Sequence, residues 1–255
     1  MKVTTYKTKK VVLKDKLFEI LDKSLLELKE EDVVVITSKI VAICQGRIVK
    51  NNGKITKLDL VKKEADFYLP EEYVNYGVYM TIKDSMVVAS AGIDESNGGG
   101  YFILWPENLQ ETTNEIWRYL RKKNQLKELG IVISDSKIIP MRRGTSGVGL
   151  SWCGFEPLRN YIEKPDIFGH NLRVTKANIV DGIAASAVLN MGEGREQTPI
   201  AVVSEISNIK FVERTPTKEE LNEMSIKPKD DVYGKIFSSV KWLKGQKRTR
   251  SLRQP

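Results

Sequence analysis

Three separate stretches of this chain set oxygen-bearing side chains beside glycine where a regular element should end. The first is Ala89-Ser90-Ala91-Gly92-Ile93-Asp94-Glu95, and the second is Ile131-Val132-Ile133-Ser134-Asp135-Ser136. The third, Gly192-Glu193-Gly194-Arg195-Glu196, follows a run of small apolar residues. Strand and helix ends are where a rigid scaffold presents groups to a cleft. Hard cations such as Mg²⁺ and Mn²⁺ take carboxylate, hydroxyl and carbonyl oxygens, and commonly bridge protein acids to nucleotide phosphates. Acids from three segments could converge on such ions. The same residues also have purely structural uses. Asp94 to Gly100 is the composition of an exposed turn, and Asp135-Ser136 could cap a following segment.

Other chemistries find less support. No Gly-x-x-x-x-Gly-Lys-Ser/Thr loop and no Gly-x-Gly-x-x-Gly fingerprint occurs. The single histidine, His170, rules out zinc sites built on several histidines and reads as a loop or substrate-facing residue. Cys153, beside Trp152, fits a half-buried structural thiol better than a nucleophile.

The elements that must hold these residues follow from periodicity. Leu17, Phe18, Ile20, Leu21, Leu25 and Leu28 make a helical stripe after Asp15. Val33 to Ile36 reads as a buried strand, Met86 to Ala91 as a second, Ile131 to Ser134 as a third and Ile200 to Val203 as a fourth. A helix is expected from about Thr113, with Thr112 and Glu115 as a capping box. The alanine-rich run Thr175 to Met191 predicts a helix packed closely on a neighbour and stopped by Gly192. Residues 215–227 start a final capped helix; residues 57–80 look irregular, as a lid or packed loop, and 140–170 look like a long loop region with short strands. Strands and helices mix without strict alternation, which predicts an α+β fold with a mixed sheet.

At 255 residues, 41% hydrophobic and 29% charged, the chain is long enough for one large domain and has the balance of a soluble globular protein. No apolar run is long enough to span a bilayer, and the lysine-rich start lacks the apolar centre of a secretory signal. Two widely spaced cysteines fit a reducing compartment, so a cytoplasmic location is expected. The net charge of +8 gathers at the ends, +5 in residues 1–16 and +6 in 241–255, leaving a slightly acidic body. That distribution disfavours a nucleic-acid partner. It predicts a folded domain over 1–240 and a basic, disordered tail over 241–255.

In these same stretches the chain resembles the coenzyme F-420:L-glutamate ligases, the F-420-0:γ-glutamyl ligase family. The likeness runs in order through Val35-Ile36-Thr37-Ser38-Lys39, Gly92-Ile93-Asp94-Glu95-Ser96-Asn97, Ile133-Ser134-Asp135-Ser136 and Pro140-Met141-Arg142-Arg143-Gly144. It continues through Asp166-Ile167-Phe168-Gly169 and Asp181-Gly182-Ile183-Ala184-Ala185-Ser186-Ala187 to Met191-Gly192, covering roughly residues 8–205. The resemblance implies an α+β fold in an intertwined homodimer that binds GTP (or ATP) and two divalent ions. Asp94, Asp135, Ser136 and Glu193 match metal ligands. Ser38, Lys39 and Asn97 match nucleotide contacts, and the 191–198 loop, with Gly192 and Gly194, would cover phosphates. Thr8 to Val11 would line the nucleotide site.

The implied reaction activates an acceptor carboxylate as an acyl phosphate and joins it to the amine of L-glutamate. Glu95 is a candidate base for the incoming ammonium, and Arg142 (or Arg143) a two-pronged clamp for carboxylate or phosphate. Two departures stand out. Ile43 takes a place where family members often carry lysine, and the segments 98–106 and 147–155 look more like a branch regarded as acting on folates than like deazaflavin-pathway members. The acceptor is thus folate-type or coenzyme F-420-0-type. The rival from another class is a non-catalytic nucleotide or metabolite sensor on the same fold.

Overall fold

A computed structural model describes residues 1–25 and 27–246. Its centre is a five-stranded sheet in the order Lys2–Tyr6, Ile200–Ser204, Asp32–Thr37, Leu129–Ile138, Thr145–Cys153. Asp32–Thr37 runs parallel to Leu129–Ile138, and every other neighbour in this sheet is antiparallel. The fold is therefore mixed α and β with a mixed sheet.

Val33, Val34, Val35 and Ile36 are fully buried because the sheet is covered on both faces. The two-residue period of a strand sends alternate side chains to opposite sides. Val34 and Ile36 meet the helices Leu17–Ser24, Ser38–Cys44 and Leu109–Asn124 through Leu21, Val41 and Ile116. Val33 and Val35 meet the helix Ile179–Met191 through Val180, Ala184 and Ala187.

That last helix packs as tightly as its alanines predict. A Cβ on Gly147 would stand 2.4 Å from the Ala184 carbonyl oxygen, and one on Gly149 would stand 2.2 Å from Val180 Cγ1. Backbone cannot step aside as a side-chain tip can. Gly147→Ala is therefore expected to cost about 1–3 kcal/mol of stability, read as a lower denaturant midpoint; an unchanged midpoint would refute this packing.

Beside the main sheet stands a smaller antiparallel one, in the order Leu243–Lys244, Phe67–Tyr68, Met80–Lys83, Met86–Ala89. Two further ribbons pair Ile48–Lys50 with Tyr101–Ile103, and Leu158–Asn160 with Lys176–Asn178.

Several expectations are corrected here. The segment 57–80 is not a loop: Lys57–Glu64 is a helix, closed by a reciprocal Thr56–Asp59 capping box. The helix expected from Thr113 begins at Leu109, and Thr112 lies inside its first turn, where its hydroxyl meets Glu107 and Gln45 rather than capping. The region 140–170 contains the nine-residue strand Thr145–Cys153. The helix expected from 215–227 is Lys218–Glu223, capped by Thr217, and a shorter one, Gly234–Ser238, follows it. The packed structure continues past residue 240, since Trp242 is buried against Phe67 and Leu69 and Leu243–Lys244 joins the small sheet. The basic tail from Lys247 onward lies outside the described residues. Among the described residues, no helix is long and apolar enough to cross a membrane.

Candidate functional site

The parallel pair is what assembles the site. Thr37, the last residue of its strand, stands level with Ser134, which lies midway along Leu129–Ile138. The chain beyond Thr37 turns into the helix Ser38–Cys44, with Thr37 Oγ1 accepting from Lys39 N at 3.1 Å. The chain beyond Ser134 stays extended, so Asp135 and Ser136 project past the end of the neighbouring strand. Asp135-Ser136 is mid-strand, which removes the reading of that pair as a cap on a following segment.

Above these ends opens a cavity of about 890 Å³, large enough for a nucleotide and part of a second substrate. Lys39, Asp94, Asn97, Asp135, Ser136 and Glu193 all line it, and so do Gly192 and Gly194. The segment from Thr8 to Leu13 forms another part of its wall, and Ile43 an apolar part. The three acidic stretches singled out by composition thus face one space.

Each acid is held by a donor of the protein itself. Asp94 Oδ2 pairs with Lys39 Nζ at 2.6 Å, and Asp94 Oδ1 accepts from Ser96 N at 2.7 Å. Burial works to raise the Asp94 pKa, but Lys39 and Ser96 outweigh it and hold the carboxyl below its ordinary value. Asp94 takes the turn its composition suggested and also lines the cavity, and the turn bond to Ser96 fixes the carboxylate that meets Lys39. Asp135 differs. Burial pushes it up to about 6, against the stabilising N–H groups of Trp105 and Ser136, and the charge of Asp94 adds to the rise. Glu193 Oε1 accepts from Ser136 Oγ at 2.7 Å and from Thr145 Oγ1 at 3.2 Å. Asn97 Nδ2 donates to the Gly194 carbonyl at 2.8 Å, joining the loop after Asp94 to the loop after the small-residue helix.

Could these residues hold divalent ions? The donor set is all oxygen, the chemistry Mg²⁺ and Mn²⁺ require. Ser134 Oγ, fully buried at the cavity wall, has no hydrogen-bond partner among the described residues, an orphan that a bound group would satisfy. Among the described residues, no three His, Cys, Asp or Glu side chains form a preformed metal cage. Asp94, Asp135 and Glu193 are instead spread around one space. On donor chemistry the site fits the ions.

Three expected site residues stand apart. Ser38 is buried under the helix start and does not line the cavity. Glu95 turns outward to Lys57 at 3.2 Å. Arg142 lies exposed in the turn between Leu129–Ile138 and Thr145–Cys153. His170 is in an exposed loop where Asp166 accepts from its backbone N–H. Cys153 is fully buried and its thiol is pushed up to about 12 by burial, which suits a structural residue.

Sequence reasoning missed Trp105, whose indole N–H donates to Asp135 Oδ2 at 2.5 Å, and Thr145 and Glu196, which order Glu193 and the Gly194 amide. A tryptophan between apolar residues and proline carries no local signal of such a contact.

The profile of the family described as F420-0:Gamma-glutamyl ligase matches residues 6–205. A protein named Coenzyme F420:L-glutamate ligase from Methanopyrus kandleri is 29% identical over 208 residues, covering 74% of this chain and 80% of that one. One of the same name from Halobacterium salinarum is 38% identical over 120 residues, covering 47% and 46% of the two chains. Another from Methanococcus maripaludis is 30% identical over 190 residues, covering 69% and 76%.

Proposed function

This chain belongs to the F420-0:gamma-glutamyl ligase family, and from that premise we propose how its cavity carries out amide formation. The coarse activity follows from membership: the chain is an amide-forming ligase that uses glutamate. The finer reading is a nucleoside-triphosphate-dependent reaction, with GTP or ATP, on a folate-type or coenzyme F-420-0-type carboxylate. The observation that carries it is the gathering of Asp94, Asp135, Ser136 and Glu193, from three distant segments, around one cavity with Lys39 and Asn97.

A carboxylate and an ammonium do not condense in neutral water, so the carboxylate must first acquire a leaving group. In the proposed path a carboxylate oxygen of the acceptor attacks the γ-phosphorus, and the bond to the bridging oxygen breaks to release nucleoside diphosphate. The glutamate nitrogen, having lost a proton, then attacks the acyl carbon, and inorganic phosphate leaves. Lys39 and Asn97 orient phosphates, and the 191–198 loop covers them. Asp94, Asp135, Ser136 and Glu193 would hold two divalent ions, which supply charge neutralisation for the phosphate oxygens. Glu95 as base and Arg142 as clamp belong to this reading only if their loops turn toward the cavity. The homodimer implied by the resemblance is part of the same proposal.

The test is to incubate the protein with Mg²⁺ or Mn²⁺, glutamate and GTP or ATP, together with F-420-0 or a tetrahydropteroate-type acceptor, and weigh the products. One added glutamyl unit is expected on one acceptor. The apolar Ile43 in the cavity wall favours one alternative, a nucleotide sensor without turnover. Tight nucleotide binding with no phosphate release and no product would decide for it.

A further inference from the structure

A network of charges largely withdrawn from water centres on Glu64. Glu64, on the helix Lys57–Glu64, receives two hydrogen bonds from the Arg47 guanidinium at 2.8 Å and one from Lys83 Nζ at 2.9 Å. Glu64 is 15% exposed and Lys83 only 3%. Charges so far from water need a reason to be there, since apolar packing would serve stability as well.

Their common neighbour is Trp105. Arg47 Nε donates to the Trp105 carbonyl at 3.1 Å, fixing its backbone. The Lys83 ammonium stands 5.1 Å from the indole centre, within cation–π range. The ring also lies against Gly92, where a Cβ would be 2.0 Å from Nε1, so only glycine admits the indole. Gly92 also has a φ of +72° and follows Ser90 and Ala91, both left-handed, an arrangement retained at some cost in backbone energy. Trp105 itself is 2% exposed. Held in this way, its one polar atom meets Asp135 Oδ2 at 2.5 Å.

We propose that Trp105 is a positioning residue: its indole N–H, fixed by Arg47, Lys83 and the bare Gly92 backbone, orients the Asp135 carboxylate for a divalent cation. The inference rests on the reading of Asp135 as a metal ligand. A carboxylate with one oxygen tied from behind and the other bonded to Ser136 N at 2.9 Å has little rotational freedom left. Partners that orient a metal ligand in this manner typically contribute about 10–100-fold in metal affinity.

The experiment measures Mn²⁺ binding by electron spin resonance in the presence of a non-hydrolysable nucleotide, for the wild-type chain and for Trp105→Phe. The variant keeps an aromatic ring and loses the N–H. Expected are Mn²⁺ affinity weaker by about tenfold or more and nucleotide affinity without metal within about twofold of wild type, a split that loosened packing alone would not produce. In the wild type, the Trp105 indole N–H resonance should also shift with Mg²⁺ and broaden first with Mn²⁺, ahead of those of Trp117 and Trp242, which donate to Leu129 and Phe237. Equal Mn²⁺ affinity in a folded Trp105→Phe chain overturns the positioning role and leaves the metal site standing. A wild-type chain that binds no Mn²⁺ overturns both. Where the variant does not fold, the wild-type indole resonance decides, and one indifferent to both ions overturns the proposal.

Discussion

Asp135→Asn is expected to reduce formation of glutamylated product on the order of 10²–10³-fold while the protein stays folded. The amide has nearly the shape of the carboxylate, so the paired strands Leu129–Ile138 and Thr145–Cys153 need not move. One stabilising effect and one destabilising effect roughly offset. Neutral Asn escapes the burial that pushes Asp135 up to about 6. Its NH₂, however, must face either the Trp105 or the Ser136 donor, since the carboxylate accepts from both. In the proposed reaction activity has no such compensation, because an amide cannot supply the negative charge with which Asp135 would hold a divalent cation. Product mass and a thermal melt, measured on one preparation, check both halves. A folded Asp135→Asn protein with near-normal turnover would remove Asp135 from the chemistry.

The largest expected loss of stability comes from Glu64→Gln. It leaves the Arg47 guanidinium and the Lys83 ammonium beside a neutral amide, and removing one member of a buried ion network costs about 3–5 kcal/mol. Acid should reproduce the loss in the wild type. Burial tends to raise the Glu64 pKa, but Lys83 and Arg47 more than reverse that and hold it below the ordinary glutamate value. A carboxyl depressed by folding stabilises fully above its unfolded pKa, and that contribution disappears as pH falls through the folded pKa. The gap between wild type and Glu64→Gln in urea titrations should thus be widest near neutrality and shrink below the usual carboxylate range. A gap independent of pH would mean that Glu64 acts by shape alone.

How much of this was legible in the sequence varies by element. Val33 to Ile36 was read correctly as a buried strand, because four consecutive β-branched residues leave few alternatives. The small-residue helix and its stop at Gly192 were legible as well, since alanine spacing reports close packing, but it starts at Ile179 rather than Thr175, because Lys176–Asn178 pairs as a strand and Asn178 caps the helix. The helix Lys57–Glu64 was missed although Thr56 and Asp59 spell its cap; its apolar face is short, with Leu60 and Val61 the buried pair. The convergence of Asp94, Asp135 and Glu193 followed composition and resemblance. Which of them would be tied to Lys39, to Trp105 or to Ser136 did not, because those contacts join positions far apart in the chain. Glu95 shows the limit in another way. It adjoins Asp94, yet one step along the backbone sends its side chain outward to Lys57.

The placing of the strand Asp32–Thr37 between two late partners has a consequence for synthesis. Its ladders are made with Leu129–Ile138 and with Ile200–Ser204, so neither edge can be covered until long after it leaves the ribosome. At ordinary translation rates the second edge waits on the order of ten seconds or more. During that interval an apolar β-branched segment is open to pairing with any other nascent chain. Contacts so distant in sequence also slow folding itself. A message truncated before the codon for Ile200 should therefore give an aggregate that occupies chaperones, and no partly active enzyme.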